Sequence, residues 1–109
     1  MKAYDVYVPI ESSNGPSWTN KSWTWLQKQL DQQFGGYSSA VAIRATKANK
    51  SSPTVEEKIR VYTVIGEKRD ARRFFAHLKE DVKNKGLAEV LIVEKEAPGP
   101  GGEIPGERI

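Results

Sequence analysis

Four cationic side chains within six residues are the first candidates for chemistry in this chain. The segment KRDARR, residues 68–73, carries Lys68, Arg69, Arg72 and Arg73. It begins a predicted helix, where each cation opposes the helix dipole by about 0.3–1 kcal/mol. A bound phosphate or carboxylate would offset that repulsion and use the free backbone N–H groups. The segment therefore predicts an anion site, or else an ordinary surface on which Glu67 and Asp70 neutralise the charges.

Two tyrosines are candidates for stacking against nucleic acid bases. Tyr7 and Tyr62 lie in predicted first and third strands, which would be central neighbours in a four-stranded sheet. RNA-binding sheets stack bases on aromatic residues of these two strands, but KIRVYTVI, residues 58–65, lacks the usual glycine and aromatic run. Single-stranded RNA or DNA binding therefore stays an alternative. Its phosphate contacts would come from Arg44, Lys47, Lys50 and Arg60.

All three tryptophans fall within SWTNKSWTW, residues 17–25. At about 100° per residue, Trp23 joins the apolar stripe of a predicted helix, whereas Trp18 and Trp25 lie together on its flank. One interpretation is that Trp18 precedes the helix and folds over its first turn as a staple-like cap. The other is that Trp18 and Trp25 form an exposed aromatic patch for another protein.

Groups suited to catalysis or metal binding are few. His77 is the single histidine and falls on the flank of a predicted helix. Glu56 and Glu57 would point to opposite faces of a strand, so they do not form a carboxylate pair. No phosphate loop, nucleophile elbow or metal-ligand spacing is present. The sequence therefore predicts no catalytic residue, no cofactor and no metal site.

The composition favours one cytoplasmic domain. The chain has 109 residues and no cysteine, which excludes disulfides and thiol catalysis and fits a reducing compartment. No run of 18 apolar residues and no signal-peptide pattern is present, so export and membrane contact are not expected. Seventeen Lys and Arg against fourteen Asp and Glu give a net charge of +3, too mild to indicate nucleic acid by itself.

Hydrophobic periodicity predicts four strands and two helices. The strands are predicted over residues 3–11, 39–46, 55–65 and 87–96, and the helices over residues 17–34 and 66–86. Asp70 is the predicted N-cap of the second helix. The segment APGPGGEIPGERI is too rich in proline and glycine to predict regular structure. We therefore assign a domain to residues 1–96 and a tail to residues 97–109.

The order βαββαβ predicts an α+β ferredoxin-like domain, a four-stranded antiparallel sheet with two helices on one face. With that order, YDVYVPIE, LQKQLDQQFGGYS and KGLAEVLIVE resemble corresponding segments of small, uncharacterised bacterial ferredoxin-like proteins. The resemblance covers about residues 3–96 and rests on Gly35, Gly36 and Gly86. It implies the fold and brings no activity with it.

The sheet face without helices is the predicted association surface. Its predicted members are Tyr7, Ala42, Arg44, Arg60, Tyr62, Val64 and either Leu91 or Val93. Two copies that bury this face against each other would remove its apolar side chains from water. The expected function is therefore a small interaction protein that forms a homodimer through its sheet, with no chemistry of its own.

Two further expectations complete the sequence-based account. A third functional class is an enzyme or sensor that binds a small anionic ligand through Arg72 and Arg73.

In the tail, Ile104 and Ile109 are expected to dock into an apolar groove, because extended segments with proline bind aromatic surfaces at low entropic cost. That groove would lie over Trp18 and Trp25 or across a subunit boundary.

Overall fold

Antiparallel strands and two helices make up the described part of the chain. The computed structural model describes residues 1–10, 18–47, 49–97 and 107–108. The strands are β1 (Lys2–Pro9), β2 (Ser38–Thr46), β3 (Val55–Gly66), β4 (Leu91–Glu96) and β5 (Glu107–Arg108). The helices are α1 (Asn20–Phe34) and α2 (Lys68–Asn84). The strand order β2-β3-β1-β4-β5, antiparallel throughout, confirms the predicted ferredoxin-like α+β fold.

The core lies between the helices and one face of the sheet. Alternate residues of the central strands point into it, namely Tyr4, Val6 and Val8 of β1, Tyr62 and Val64 of β3, and Ile92 of β4. The helices contribute Leu26, Leu30, Ala71, Phe75, Leu78 and Val82. Each large apolar side chain buried here contributes about 1.5–3 kcal/mol. This packing fixes which side of β1 and β4 faces α2.

Helix α1 begins later than predicted because Thr19 caps it. The Thr19 Oγ1 accepts a hydrogen bond from the Ser22 backbone N–H at 3.3 Å, and the Ser22 hydroxyl accepts one from the Thr19 N–H at 3.5 Å. This reciprocal pair is a capping box, so Asn20 is the first helical residue. The helix ends at Gly35, whose φ of 75° suits glycine.

Helix α2 begins at Lys68, inside the predicted range, and its N-cap is Glu67, three residues before the predicted N-cap Asp70. The Asp70 side chain is therefore not the cap; it lies in the first turn, where a negative charge favours the helix dipole. The strand predicted from Leu87 begins only at Leu91, because Gly86, with φ of 70°, leads into a connection that precedes β4. Neither described helix is long and apolar enough to cross a membrane.

Two residues of the C-terminal tail, Glu107 and Arg108, form the short strand β5, which corrects the prediction of no regular structure at these positions. Arg108 pairs with Val93 and Glu107 with Glu94 along β4. The free edge of β4 supplies backbone partners that composition alone does not reveal. The expected docking of Ile104 and Ile109 falls outside the described residues.

Candidate functional site

The candidate site is centred on Glu94, a carboxylate that the structure buries. Ile92 and Glu94 alternate along β4 toward the helix side of the sheet, and Tyr4 of β1 lies directly across the ladder from Glu94. Only 4% of the Glu94 side chain is exposed. An ionised carboxylate buried to this extent costs several kcal/mol unless other groups compensate it.

Two cations of α2 provide the compensation. The Arg72 Nε donates to Glu94 Oε2 at 3.1 Å, and the Lys68 Nζ lies 3.7 Å from Glu94 Oε1. Lys68 and Arg72 are one helical turn apart, so both reach the same carboxylate. About half of each cationic side chain stays exposed, at 52% for Lys68 and 48% for Arg72. The protein's own carboxylate is thus an anion that offsets the cations at this helix start.

The four predicted anion-binding residues therefore separate into two pairs. Lys68 and Arg72 converge on Glu94, whereas Arg69 and Arg73 lie exposed on α2. The predicted neutralisation by Glu67 and Asp70 gives no ion pair with these cations among those the structure shows. We call Tyr4, Lys68, Arg72 and Glu94 the Glu94 cluster.

Electrostatics keep Glu94 ionised. Burial, the largest single influence, raises the pKa of Glu94, but the hydrogen bond and charge of Arg72, the charge of Lys68 and a hydrogen-bonding interaction with Tyr4 together outweigh it. The pKa of Glu94 consequently lies below its ordinary value. At neutral pH this side chain is a pure hydrogen-bond acceptor with a full negative charge.

Tyr4 adds a buried hydroxyl that no described residue meets in good hydrogen-bond geometry. Its ring packs against Phe75 with centroids 5.3 Å apart, and the residue is fully buried. The hydroxyl faces the Glu94 carboxylate and interacts with both its charge and its acceptor oxygens, yet no described residue meets it in good hydrogen-bond geometry. Burial first, then the Glu94 charge and a hydrogen-bonding interaction with the Glu94 carboxylate, raise the pKa of Tyr4 to about 12. The hydroxyl therefore keeps its proton at neutral pH and can donate it to a hydrogen bond.

The Glu94 cluster can make three kinds of contact with a ligand. The half-exposed Lys68 and Arg72 can bind an anionic group, and the ionised Glu94 can accept hydrogen bonds or face a cation. The Tyr4 hydroxyl can donate one hydrogen bond. A few convergent polar groups at the edge of an apolar core are typical of sites for small polar ligands.

The structure corrects the predicted composition of the open sheet face. Across the β1–β3 ladder Tyr7 is opposite Val61, and residues opposite each other share a face. Tyr62 and Val64 are buried on the other face, where the Gln27 Nε2 donates to the Tyr62 hydroxyl at 3.0 Å. The two tyrosines consequently lie on opposite faces, and they cannot form one stacking platform for bases.

Arg60 also lies on the helix side, and its guanidinium sits 4.8 Å over the Trp23 ring. That cation–π contact stabilises the charged Arg60 side chain on the helix side of the sheet. The side chain of Arg44 lies outside the described part. The open face carries the predicted Tyr7, Leu91 and Val93, joined by Val61 and Ile65.

A second buried carboxylate, Asp5, lies on the open face. The Thr63 hydroxyl donates to Asp5 Oδ1 at 2.7 Å, and the Lys95 ammonium lies 2.9 Å from Oδ2. Thr63 and Lys95 come from the strands on either side of β1. Each carboxylate oxygen therefore has a partner from the sheet itself. We call Asp5, Thr63 and Lys95 the Asp5 cluster.

The tryptophans seal one end of the core. Trp18 is buried, its Nε1 donates to the Ala88 carbonyl at 3.0 Å, and its ring lies 5.4 Å from Trp23. Since Trp18 precedes the N-cap and Trp23 is the fourth helical residue, this contact is a hydrophobic staple. Trp25 is partly exposed, with the Lys85 ammonium 4.8 Å over its ring. The predicted exposed patch is therefore wrong for Trp18.

Sequence patterns missed the most informative residues, Tyr4, Asp5 and Glu94. Glu94 does carry one signal, because it falls in phase with the buried Ile92 on its strand. A second signal is the surplus of cations at the start of α2, which needs a compensating anion. His77 is exposed, and the described residues contain no cluster of metal-ligating side chains.

Two solved structures share the fold of this chain. Both are of phage SAM lyase, one in complex with S-methyl-5'-thioadenosine and one in the apo state. Each has a TM-score of 0.61 and 15% sequence identity, and covers 99% of this chain. The matches span 88% and 87% of the lyase chains respectively. At this identity the likeness is one of fold. No family model and no curated protein matches the sequence.

Proposed function

We propose that this protein binds an adenosyl-sulfur compound, S-adenosylmethionine or a derivative of it, at the Glu94 cluster. The observation that carries the proposal is the convergence of the half-exposed Lys68 and Arg72 and the buried Tyr4 hydroxyl on the ionised Glu94. The Tyr4 hydroxyl has no partner in good hydrogen-bond geometry, and a poorly satisfied buried hydroxyl costs up to about 1–3 kcal/mol, so a ligand that accepts its hydrogen bond would relieve that cost. The fold shared with phage SAM lyase over nearly the whole chain favours this ligand class.

The chemistry of the ligand matches the groups of the cluster. S-adenosylmethionine carries a carboxylate, an ammonium, a sulfonium and two ribose hydroxyls. Its carboxylate suits Lys68 and Arg72, whose side chains are half exposed. Its cationic groups or its ribose hydroxyls suit the acceptor oxygens of Glu94. S-methyl-5'-thioadenosine lacks the carboxylate and ammonium, so the cluster should bind it more weakly and with less dependence on salt.

Calorimetric titration tests this proposal. We expect S-adenosylmethionine to bind the wild-type chain and Glu94→Gln to weaken the affinity at least about tenfold, because a hydrogen bond to a charged group contributes about 1.5–3 kcal/mol. Asp5→Asn, which alters the carboxylate on the other face, should leave the affinity within about twofold. Absence of binding at millimolar ligand, or equal losses in both variants, would contradict the proposal. Release of S-methyl-5'-thioadenosine during incubation would extend it from binding to cleavage.

A second candidate function is self-association through the open sheet face. It is favoured by the apolar side chains of Tyr7, Val61, Leu91 and Val93, which stay partly exposed, and of Ile65, which is exposed. No described helix covers this face. Burial against a second copy would remove these side chains from water. The buried Tyr62 and Val64 belong to the core and take no part in this surface.

Sedimentation of the wild-type chain and of Leu91→Lys tests that candidate. The wild type should sediment as an oligomer at micromolar concentration, and a lysine on the open face should shift it to a smaller mass. A wild-type mass that equals one chain, or a mass that Leu91→Lys leaves unchanged, would rule out association through this face.

A further inference from the structure

The outer edge of β2 has no pairing strand among the described residues. At the opposite side of the sheet, β4 is partly paired by β5. Strand β2 pairs with β3 on one side, and no described residue pairs with its other side over Ser38–Thr46. Soluble proteins usually protect such edges with lysine, proline or a bulge. This strand, SSAVAIRAT, contains no lysine and no proline.

Two large apolar side chains project from this edge strand. Val41 is 61% exposed and Ile43 is 64% exposed. They alternate with Ala40 and Ala42, and they lie on the helix side of the sheet because Val41 is opposite Arg60 in the β2–β3 ladder. The described helices pack over the strands inward of β2, so both side chains extend past the core. An exposed strand that combines free backbone groups with apolar side chains favours pairing with another strand.

We propose that two copies of this chain pair through β2, antiparallel and centred on Ala42, so that their sheets join into one. In this register Val41 of each copy lies directly opposite Ile43 of the other. All four exposed apolar side chains then form two cross-strand pairs on the helix side. The inference does not depend on the proposed ligand.

Register and charge select this arrangement. A pairing shifted by one residue would place the helices of the two copies on opposite faces and Val41 beside alanine. A pairing centred on Val41 would leave Ile43 opposite Ser39. Centred on Ala42, the two Arg44 positions lie four residues apart along the ladder, about 13 Å, which exceeds the screening length of about 8 Å in physiological salt. The edge is therefore self-complementary in shape and compatible in charge.

A cysteine scan tests the register directly, because the chain contains no cysteine of its own. In the proposed dimer the two Ala42 Cα atoms lie about 4.5–5.5 Å apart, within the range of a disulfide. Ala42→Cys should therefore convert most of the protein to a covalent dimer under mild oxidation. Ser38→Cys is the matched control on the same strand, since two Ser38 positions would lie about 26 Å apart. Equal crosslinking of both variants, or none with Ala42→Cys, would overturn the proposal.

Charge substitutions give a second, independent readout. V41K/I43K places lysine opposite lysine twice, so the dimer dissociation constant measured by sedimentation should rise at least about tenfold. V41K/I43E places lysine opposite glutamate twice in this register and should restore dimerisation. Both positions are exposed, so thermal melting of the isolated chain should change little. A dimer that Leu91→Lys disrupts and V41K/I43K leaves intact, or a monomeric wild type, would overturn the proposal.

Discussion

Asp5 and Glu94 are two buried carboxylates on neighbouring strands, and they differ in what surrounds them. Asp5 lies on the open face and is held by Thr63 and Lys95 of the adjacent strands. Glu94 lies on the helix side and is held by Lys68 and Arg72 of α2, whose side chains stay half exposed. The Asp5 cluster is complete within the sheet. The Glu94 cluster opens to solvent through its cations and contains a buried hydroxyl that forms no hydrogen bond of good geometry with a described residue.

We therefore interpret Asp5 as a structural charge and Glu94 as part of a candidate binding site. A carboxylate whose oxygens are both satisfied by fixed neighbours can stabilise a sheet, but it has little capacity left for a ligand. A carboxylate held by half-exposed cations can exchange part of its hydrogen bonding for ligand groups. Burial of a carboxylate alone therefore does not identify a binding site. What identifies it is whether the surrounding hydrogen-bond donors remain accessible to a ligand.

The largest effect should come from Arg72→Ala. This change leaves the buried Glu94 with only the more distant Lys68, so the free energy of unfolding should fall by about 2–3 kcal/mol, less than for a fully buried pair because Arg72 is half exposed. Chemical denaturation measures it. Arg73→Ala, one residue further along α2 and exposed, is the control and should cost under about 0.5 kcal/mol. Equal losses in the two variants would show that Glu94 does not depend on Arg72.

Lys95→Met should have a smaller effect on the Asp5 cluster. The Thr63 hydroxyl still donates to Asp5, and the methionine keeps most of the apolar stem, so we expect a loss of about 1 kcal/mol. The same denaturation experiment measures it. A loss larger than that of Arg72→Ala would reverse the comparison between the two clusters.

Acid should weaken the Glu94 cluster in a defined direction. The pKa of Glu94 is lower in the folded chain than in the unfolded chain, where it is about 4.5. The ionised Glu94 therefore adds to the free energy of unfolding above pH 4.5, and this contribution is lost as the pH falls from 4.5 through the pKa of the folded chain. Melting curves between pH 7 and pH 3 should therefore show a steeper loss of stability for the wild type than for Glu94→Gln. Parallel curves would mean that folding leaves the acidity of Glu94 unchanged.

Tyr4→Phe should have the smallest effect on folding. The hydroxyl forms no hydrogen bond of good geometry with a described residue, so its removal should change the free energy of unfolding by less than about 0.5 kcal/mol and can even stabilise the chain. A loss above about 1 kcal/mol would show that the hydroxyl is already bonded within the protein.

Sequence periodicity was sufficient for the order of elements and the fold, because each helix and strand carries its own apolar pattern. It failed where both faces of a strand are apolar. In β3, Ile59 and Val61 alternate with Tyr62 and Val64, so the pattern did not specify which set faces the helices. Which set faces the helices depends on the register with β1 and on the packing of the Arg60 guanidinium over the Trp23 ring.

The sequence indicated only the cations of the Glu94 cluster. The surplus of cations at the start of α2 indicated an anion, but the anion turned out to be Glu94, more than twenty residues away in the chain. Tyr4 joins it only because β1 and β4 are neighbours with a particular register. Contacts of this kind depend on strand pairing, which local patterns do not contain.

The central claim is that the Glu94 cluster, and not the Asp5 cluster, binds the ligand. Its most direct test is the affinity for S-adenosylmethionine of two variants that each remove one hydroxyl, Tyr4→Phe and Thr63→Val. The account predicts that Tyr4→Phe weakens binding at least about threefold without loss of stability, since a neutral hydrogen bond contributes about 0.5–1.5 kcal/mol. Thr63→Val should leave the affinity within about twofold. Unchanged binding in Tyr4→Phe, or a larger loss in Thr63→Val, would contradict the account.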